Sequence, residues 1–220
     1  MSPEAVAAKT VTRLVLVRHG QTALNREQRV QGLSDNGVDE TGLAQAEAIG
    51  AALRSQRLAG VYSSPLLRAR QTAEAIARAQ GLSVQVVEQL REMNVGELDG
   101  LSFTDMGAKY PELMKRWKED AGAVRLPGGE TLAEVQKRTW KAIEDIVSEN
   151  QGKTAAIVSH AFAIQVIVCK ALELPLSNFR RIRHDIGAIT TIEFQGGISI
   201  LKGLNDSCHL STPEGRWLQL

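Results

Sequence analysis

The sequence has few cysteines, almost no net charge and no long hydrophobic run. Its two cysteines cannot form a disulfide framework, and Cys169 lies in an apolar stretch typical of a buried thiol. The formal net charge of +1 excludes a general electrostatic attraction to nucleic acid or to an anionic membrane. The remaining composition, 43% hydrophobic and 23% charged, is that of an ordinary globular protein.

The sequence also lacks the signals of export and of membrane insertion. No apolar run reaches about 18 residues, which is the length that a membrane-spanning helix needs. The first residues, "MSPEAVAAKTVTR", contain no apolar core of a signal peptide. We therefore expect a cytoplasmic protein with a frayed N-terminal start.

Short apolar strands and amphipathic helices alternate along most of the chain, which favours an α/β fold. β-branched apolar runs predict strands at 10–17, 59–64, 83–88 and 154–159, and a terminal hairpin around Gln195-Gly196-Gly197. Helices are predicted after an N-cap at Asp39, from Pro65 to Gly81, over 130–149, and from about Phe162 to Leu172.

These elements predict one domain over residues 1–220. Its architecture would be a three-layer α/β/α sandwich with a mostly parallel sheet, one antiparallel strand from the hairpin, and a small cap insertion at about 96–129. The pattern within 96–129 is weaker than elsewhere and holds a short helical piece around "KYPELMKRWKED".

Polar groups follow three of the predicted strands. Arg18-His19-Gly20 follows the first strand, Ser63-Ser64 ends the second, and His160 follows "TAAIVS". In open α/β sheets, ligands bind beyond the carboxyl ends of the strands. If the strands are parallel, two histidines and an arginine share one crevice.

Six motifs of this sequence occur in the order of a known family. They are "LVRHGQTALN", "VQG" (30–32), "VYSSPLLRARQTA" (61–73), "LREMNVGELDG" (90–100), "PGGETL" (127–132) and "VSH" (158–160). Over residues 13 to about 206 the chain resembles the histidine phosphatase superfamily, in the branch that includes cofactor-dependent phosphoglycerate mutases and small phosphatases.

The resemblance implies that His19 attacks phosphorus and becomes phosphohistidine. A neutral imidazole is a fair nucleophile near neutral pH, and its other ring nitrogen should donate to a backbone oxygen so that the ring is aimed. Positive charge for the phosphate oxygens would come from Arg18, Arg68 and a protonated His160. The polar phosphate contacts implied by family position are Thr22, Asn25 and Gln31.

Glu92 is the expected general acid, because breaking a phosphate ester requires a proton on the leaving oxygen. Glu97, five residues later, is the rival candidate. The chain departs from the family at Ala161, where glycine usually follows the second histidine. Its N–H can still donate to phosphate, but its methyl group would narrow the pocket or disfavour a positive φ.

The other polar features carry no predicted chemistry. His184 and His209 are interpreted as structural, and no cluster has the spacing of metal ligands, so we expect neither metal nor cofactor. The basic run 179–185 is interpreted as a solvated face, with attraction of an anionic substrate as the alternative.

Three functions remain open at this stage. The leading prediction is a metal-independent phosphomonoesterase acting on a small phosphorylated metabolite. The alternatives are a phosphoglycerate mutase that uses the same phosphohistidine and a catalytically silent binding protein. Only about thirty residues separate "REMNVGELDG" from the 130–149 helix, and the polar tail ends in "RWLQL", so an open pocket that admits water is expected. The sequence specifies neither the metabolite nor the oligomeric state.

Overall fold

A six-stranded sheet lies at the centre of the computed structural model, which describes residues 10–210. The strands are β1 (Thr12–Arg18), β2 (Gly60–Ser63), β3 (Val84–Val86), β4 (Thr154–Ser159), β5 (Ile189–Gln195) and β6 (Ile198–Asp206). Their order across the sheet is β3-β2-β4-β1-β5-β6. Strands β1 to β4 are parallel, and β5 is antiparallel to both of its neighbours, so it alone runs opposite to the others. The predicted sheet is confirmed.

Helices cover both faces of this sheet. They are α1 (Ala23–Arg26), α2 (Glu40–Leu53), α3 (Leu67–Gln80), α4 (Phe103–Lys109), α5 (Pro111–Asp120), α6 (Leu132–Glu149) and α7 (Ala161–Ala171). Side chains alternate across β1, where Leu14 and Leu16 join one buried cluster and Val15 and Val17 the other. The first cluster contains the apolar faces of α6 and α7, and the second those of α2 and α3. The predicted three-layer sandwich is therefore confirmed.

Local capping chemistry sets the helix ends. The carboxylate of Asp39 accepts from the N–H of Gly42 and starts α2, as the sequence predicted. Gly81 ends α3 at φ +67°, in the left-handed region that glycine tolerates best. Thr131 and Glu134 form a capping box that starts α6.

The structure differs from the prediction at the starts of two helices and in one additional helix. Helix α6 begins at Leu132, not at residue 130, because Thr131 is its N-cap. Helix α3 begins at Leu67, not Pro65, because the chain remains extended through Leu66. Helix α1 was not predicted, since its four residues are too few for a periodic pattern.

The 96–129 segment folds as turns and the two short helices α4 and α5. Residues 1–9 and 211–220, which include most of the expected frayed start and the "RWLQL" end of the tail, lie outside the described residues. Within 10–210, no helix combines the length and the apolarity needed to cross a bilayer.

Candidate active site

The two histidines predicted to share a crevice lie side by side at one edge of the sheet. Arg18 at the end of β1 is in register with Ser159 at the end of β4, so His19 and His160 leave the sheet together. Their ring centroids are 5.1 Å apart, and both side chains are buried. The sequence predicted parallel strands from the alternation of strands and helices. Because β1 and β4 are indeed parallel, the two histidines that follow them lie at the same edge of the sheet.

The His19 ring is held by hydrogen bonds at both of its nitrogens. Its Nδ1 lies 2.8 Å from the carbonyl oxygen of Gly20, which can only accept, so Nδ1 carries the hydrogen. Nε2 then keeps a lone pair and accepts from Nε–H of Arg68 at 3.3 Å. Burial, followed by the charges of Arg68 and Arg18, holds the pKa of His19 well below its usual range. A neutral, nucleophilic imidazole at neutral pH follows.

Arg68 is a buried cation held in a fixed orientation. Its terminal nitrogens donate to the carbonyl oxygens of Ser34 and Gly32, each at 2.8 Å. Burial lowers its pKa to about 10, against the opposing charge of Glu92, so it remains protonated at neutral pH. The loop carbonyls are positioned in turn by Asp99, whose carboxylate accepts from the N–H groups of Gly32 and Ser34.

Arg18 brings a second cation to the crevice. One terminal nitrogen donates to the carbonyl oxygen of His184 at 2.7 Å. Its buried Nε has no hydrogen-bond partner among residues 10–210, which leaves a donor for an incoming anion. Burial lowers the pKa of this guanidinium, and the charges of Glu92 and Asp185 oppose that shift.

His160 is oriented by Ser64, the residue that follows β2. Ser64 Oγ accepts from the N–H of Leu66 at 3.3 Å and lies 2.7 Å from His160 Nε2. A hydroxyl group both donates and accepts, so this contact fixes the orientation of the His160 ring for either tautomer. Nδ1 is buried and has no partner within the described chain. Burial and the charge of Arg68 hold the pKa of His160 well below its usual range, so this site favours a neutral ring, not the protonated one expected from sequence.

Glu92 lies in the site, whereas its rival Glu97 is at the surface. The buried carboxylate of Glu92 accepts from the N–H of Met93 at 2.8 Å and from those of Ala163 and Phe162 at 3.2 and 3.3 Å, in the first turn of α7. Burial raises the pKa of Glu92, against these bonds and the charge of Arg68. The exposed Glu97 instead accepts from the hydroxyl of Tyr110.

Thr22 forms hydrogen bonds with both Asn25 and Gln31. Thr22 Oγ1 donates to Gln31 Oε1 at 2.9 Å, and Thr22 and Asn25 form the capping box of α1. None of the hydrogen bonds found for these three side chains within 10–210 joins them to His19 or to the two arginines. They shape the loop beside the crevice, and phosphate contact by their side chains stays a prediction.

Ala161 is the first residue of α7 and has helical backbone geometry, so the expected conflict with a positive φ does not arise. Its methyl group lines an apolar cavity together with Phe162. If the Ala161 methyl group narrows a pocket, as the sequence predicted, the pocket is this apolar cavity.

Gly20 packs against the backbone of α2. A Cβ at Gly20 would overlap the carbonyl oxygen of Gly42, and a Cβ at Gly42 would overlap the backbone of Gln21. The close approach of two backbones therefore requires glycine at position 20. The sequence had suggested a second reason, which is room for a phosphoryl group.

Sequence reasoning missed Arg138 and Thr72, which position site residues from behind. Arg138 donates to the carbonyl oxygens of Arg91 and Glu92, at 2.7 and 2.9 Å, and forms an ion pair with Glu130. Thr72 accepts from the N–H of Gly20 at 3.0 Å. In the sequence both are polar positions of predicted helices. Thr72 lies within the motif 61–73, but nothing in the sequence indicates that either side chain supports the site.

His184 and His209 lie outside the crevice between His19 and His160. Burial and the charge of Arg18 lower the pKa of His184 to about 3, and its carbonyl oxygen, not its ring, bonds to Arg18. His209 Nε2 lies 3.0 Å from the carbonyl oxygen of Gly187. No group of three or more His, Cys, Asp or Glu side chains placed to hold a metal ion is found in the described chain.

The crevice at the carboxyl edge of the sheet thus combines a neutral imidazole, His19, with the two adjacent guanidinium groups of Arg18 and Arg68. Residues 14–207 match the histidine phosphatase superfamily (branch 1), and the chain belongs to that family. It is 32% identical over 200 residues to phosphoserine phosphatase 1 of Hydrogenobacter thermophilus, covering 91% of this chain and 95% of that protein. It is 30% identical over 203 residues to the probable phosphoglycerate mutase GpmB of Yersinia pestis, covering 90% and 94%.

Among solved structures, a mycobacterial glucosyl-3-phosphoglycerate phosphatase superposes with a TM-score of 0.83 at 29% identity, covering 90% of this chain and 100% of that one. The bifunctional protein Rv2228c of Mycobacterium tuberculosis is 35% identical over 206 residues, which are 93% of this chain. The chain spans only 56% of the length of that relative.

Proposed function

We propose that the protein hydrolyses phosphate monoesters of a small molecule through a phosphohistidine on His19, without a metal ion or an organic cofactor. The observation that carries this proposal is the fixed tautomer of His19, which leaves the lone pair on Nε2 next to the phosphate-binding cation Arg68. This lone pair faces Arg68 Nε at 3.3 Å while Nδ1 is fixed by Gly20. The family membership, with phosphatases among the relatives and structural neighbours, supports the reaction class.

In the first half-reaction, the phosphate oxygens are bound by Arg18, Arg68 and His160, whose Nδ1 has no partner within the described chain and donates in the tautomer that carries a hydrogen there. His19 Nε2 attacks phosphorus, so a P–N bond forms while the P–O bond to the leaving group breaks. Glu92 gives its proton to the leaving oxygen, which departs as an alcohol. The raised pKa of Glu92 supports this role, because it keeps the carboxyl protonated at higher pH.

In the second half-reaction, the ionised Glu92 takes a proton from water. The water oxygen attacks phosphorus and the P–N bond breaks, which restores His19 and releases inorganic phosphate. The two arginines supply the charge that a metal ion supplies in other phosphatases.

Activity is therefore expected to survive excess EDTA unchanged, since Arg18 and Arg68 remain in place. The measurement is phosphate release from p-nitrophenyl phosphate before and after dialysis against chelator. Loss of activity that a divalent ion restores would contradict metal independence. A parallel sample dialysed without chelator controls for loss of protein.

The rival activity is transfer of the phosphoryl group back to a phosphoglycerate. We expect 3-phosphoglycerate to give free phosphate or no product, with or without 2,3-bisphosphoglycerate. The reason is that phosphatases are among the relatives and structural neighbours. The open pocket expected from the short 96–129 segment gives no support, because His19 and His160 are only 4% and 0% exposed. Both free phosphate and 2-phosphoglycerate are measured. Rapid, primer-dependent 2-phosphoglycerate with little free phosphate would make the protein a mutase and leave the roles of His19 and Arg68 standing.

We propose further that the protein acts in the cytoplasm. Its substrate would be a small phosphate ester, and neither nucleic acid nor a membrane is expected as a ligand. Both cysteines are unpaired thiols, Cys169 buried and Cys208 exposed, which suits a reducing compartment.

A further inference from the structure

An apolar cavity of about 350 Å³ is lined in part by Ala161 and Phe162, the two residues that follow His160 in the chain. We propose that it binds the organic part of the substrate, and that this part is apolar, larger than a benzene ring and without positive charge. The proposal rests on the proposed phosphatase function, because the cavity would hold the leaving group of the ester.

The position of the cavity follows from the segments that form its wall. Ala161 and Phe162 come directly after His160 in the chain, Val30 precedes Gln31, and Val95 lies three residues after Glu92. The N–H of Phe162 donates to the Glu92 carboxylate at 3.3 Å. One wall residue of the cavity is thus hydrogen-bonded to the proposed acid, and the leaving group of an ester held near Glu92 would extend past Phe162 into the cavity.

The chemistry of the wall selects an apolar group. Its aromatic side chains are Phe103, Trp117, Phe162 and Phe179, and most of the others are aliphatic. The charged side chains at this wall are Lys118 and Arg180, and no acidic residue is among the described residues that line it. An ammonium group placed here would lose its water and gain no carboxylate partner.

An aromatic cluster can also bind a cation through its ring faces, but here Arg180 of the protein itself already occupies the ring faces. The guanidinium of Arg180 lies 5.8 Å from the ring centroid of Trp117 and 5.7 Å from that of Phe179. Arg180 also donates to the backbone carbonyl of Trp117 at 2.9 Å. A second cation would be repelled, so an aminoalkyl ester is disfavoured.

The size of the cavity sets a lower limit for the group. An apolar cavity of about 150 Å³ holds a benzene molecule, so one of about 350 Å³ accommodates a considerably larger group. The side chain of Phe103 at its rim is 70% exposed and can cover a bound ligand. Phe103, Met106, Met114 and Trp117 all belong to the 96–129 segment, which therefore shapes the leaving-group subsite.

The first test compares esters whose leaving groups differ only in apolar length or in charge. Between butyl and hexyl phosphate, kcat/KM is expected to rise about fifteenfold, since each of the two additional buried methylenes contributes about fourfold. Propyl phosphate and 2-aminoethyl phosphate have the same shape, and the propyl ester is expected to be at least about tenfold better, because the ammonium group would be buried without a partner.

The second test removes one wall of the cavity. Trp117→Ala is expected to reduce the hexyl-to-butyl ratio of kcat/KM to about threefold or less, because the second pair of methylenes then stays largely hydrated. Trp140→Ala is the matched control: this tryptophan packs against Phe194 at 6.2 Å and lines a different groove, so the ratio should not change. Phe103→Ala, at an exposed position, tests the same wall if Trp117→Ala does not fold.

The outcomes distinguish the inference from the function on which it rests. A hexyl-to-butyl ratio of one or less, or preference for the aminoethyl ester, overturns the apolar subsite while hydrolysis itself stands. A ratio that falls equally in Trp140→Ala also overturns it. If no ester of any kind releases phosphate, the phosphatase proposal fails and the subsite fails with it.

Discussion

His19→Ala is expected to lower kcat/KM for every phosphate ester by a factor on the order of 10⁴ or more, since removal of a nucleophile usually has an effect of this size. Arg18, Arg68 and His160 would still bind phosphate, but no lone pair would face phosphorus. Rapid quenching of the wild-type enzyme followed by intact-protein mass measurement should show one added phosphoryl group, which the variant lacks.

The His19 variant needs a folding control, because the structure shows this side chain buried at 4% exposure and not simply placed at a strand end. Its loss leaves Nε of Arg68 without its acceptor, which would destabilise the fold by about 1–3 kcal/mol. Thermal unfolding measures this loss. His209→Ala removes a histidine outside the crevice and should retain activity within a few fold. More than about one hundredth of the wild-type rate in His19→Ala would rule out the phosphohistidine mechanism, since loss of a nucleophile has a far larger effect.

Glu92→Gln is expected to lower the rate about 10²- to 10⁴-fold for an alkyl phosphate and much less for an aryl phosphate. An alkoxide needs a proton to leave, whereas a phenolate needs little help. A glutamine oxygen in the place of Oε1 keeps the bonds from Met93 and Ala163 and loses only the longer one from Phe162. The acid is therefore removed with little change of shape.

The pH profile gives an independent check of this role. The protonated Glu92 is the active acid, so wild-type turnover of alkyl esters should fall as the pH rises through the pKa of Glu92, which burial has raised. The Glu92→Gln profile should lack this limb. Glu97→Gln is the matched control, because Glu97 is an exposed carboxylate bonded to Tyr110. Equal losses on alkyl and aryl esters, or a selective loss in Glu97→Gln, would reassign the acid.

Much of the sheet could be predicted from the sequence because its signals are local. The apolar runs of β1 and β4 are buried on both faces and read as continuous hydrophobic stretches. The hairpin of β5 and β6 was marked by its two glycines, and the caps at Asp39 and Gly81 by residue type. The order of the strands was not predictable, because pairing depends on contacts between segments far apart in the chain, such as β1 with β4.

The site was predictable where strand ends bring residues together. The assumption of parallel strands was enough to predict that His19 and His160 lie at the same edge of the sheet, and the structure shows their rings 5.1 Å apart. The electrostatics were not predictable in the same way. The low pKa of His160 results from complete burial beside Arg68, and burial of a strand-end side chain depends on the loops that cover it. Arg138, on the helix α6, donates to the backbone carbonyl oxygens of Arg91 and Glu92. Every residue has such a carbonyl, so the types of residue in the sequence do not indicate this contact.

The contact between Gly20 and Gly42 has a consequence for how this protein tolerates mutation. A side chain at Gly20 would collide with α2 at Gly42, and a side chain at Gly42 would collide with the backbone next to Gly20. Glycine is therefore required at both positions for the same close approach. Gly42 sits inside a helix, where alanine would ordinarily be the more favourable residue. Here even that methyl group would push α2 away from the turn that carries His19. Gly42 therefore restricts the sequences that this active site can accept, although it takes no part in the chemistry.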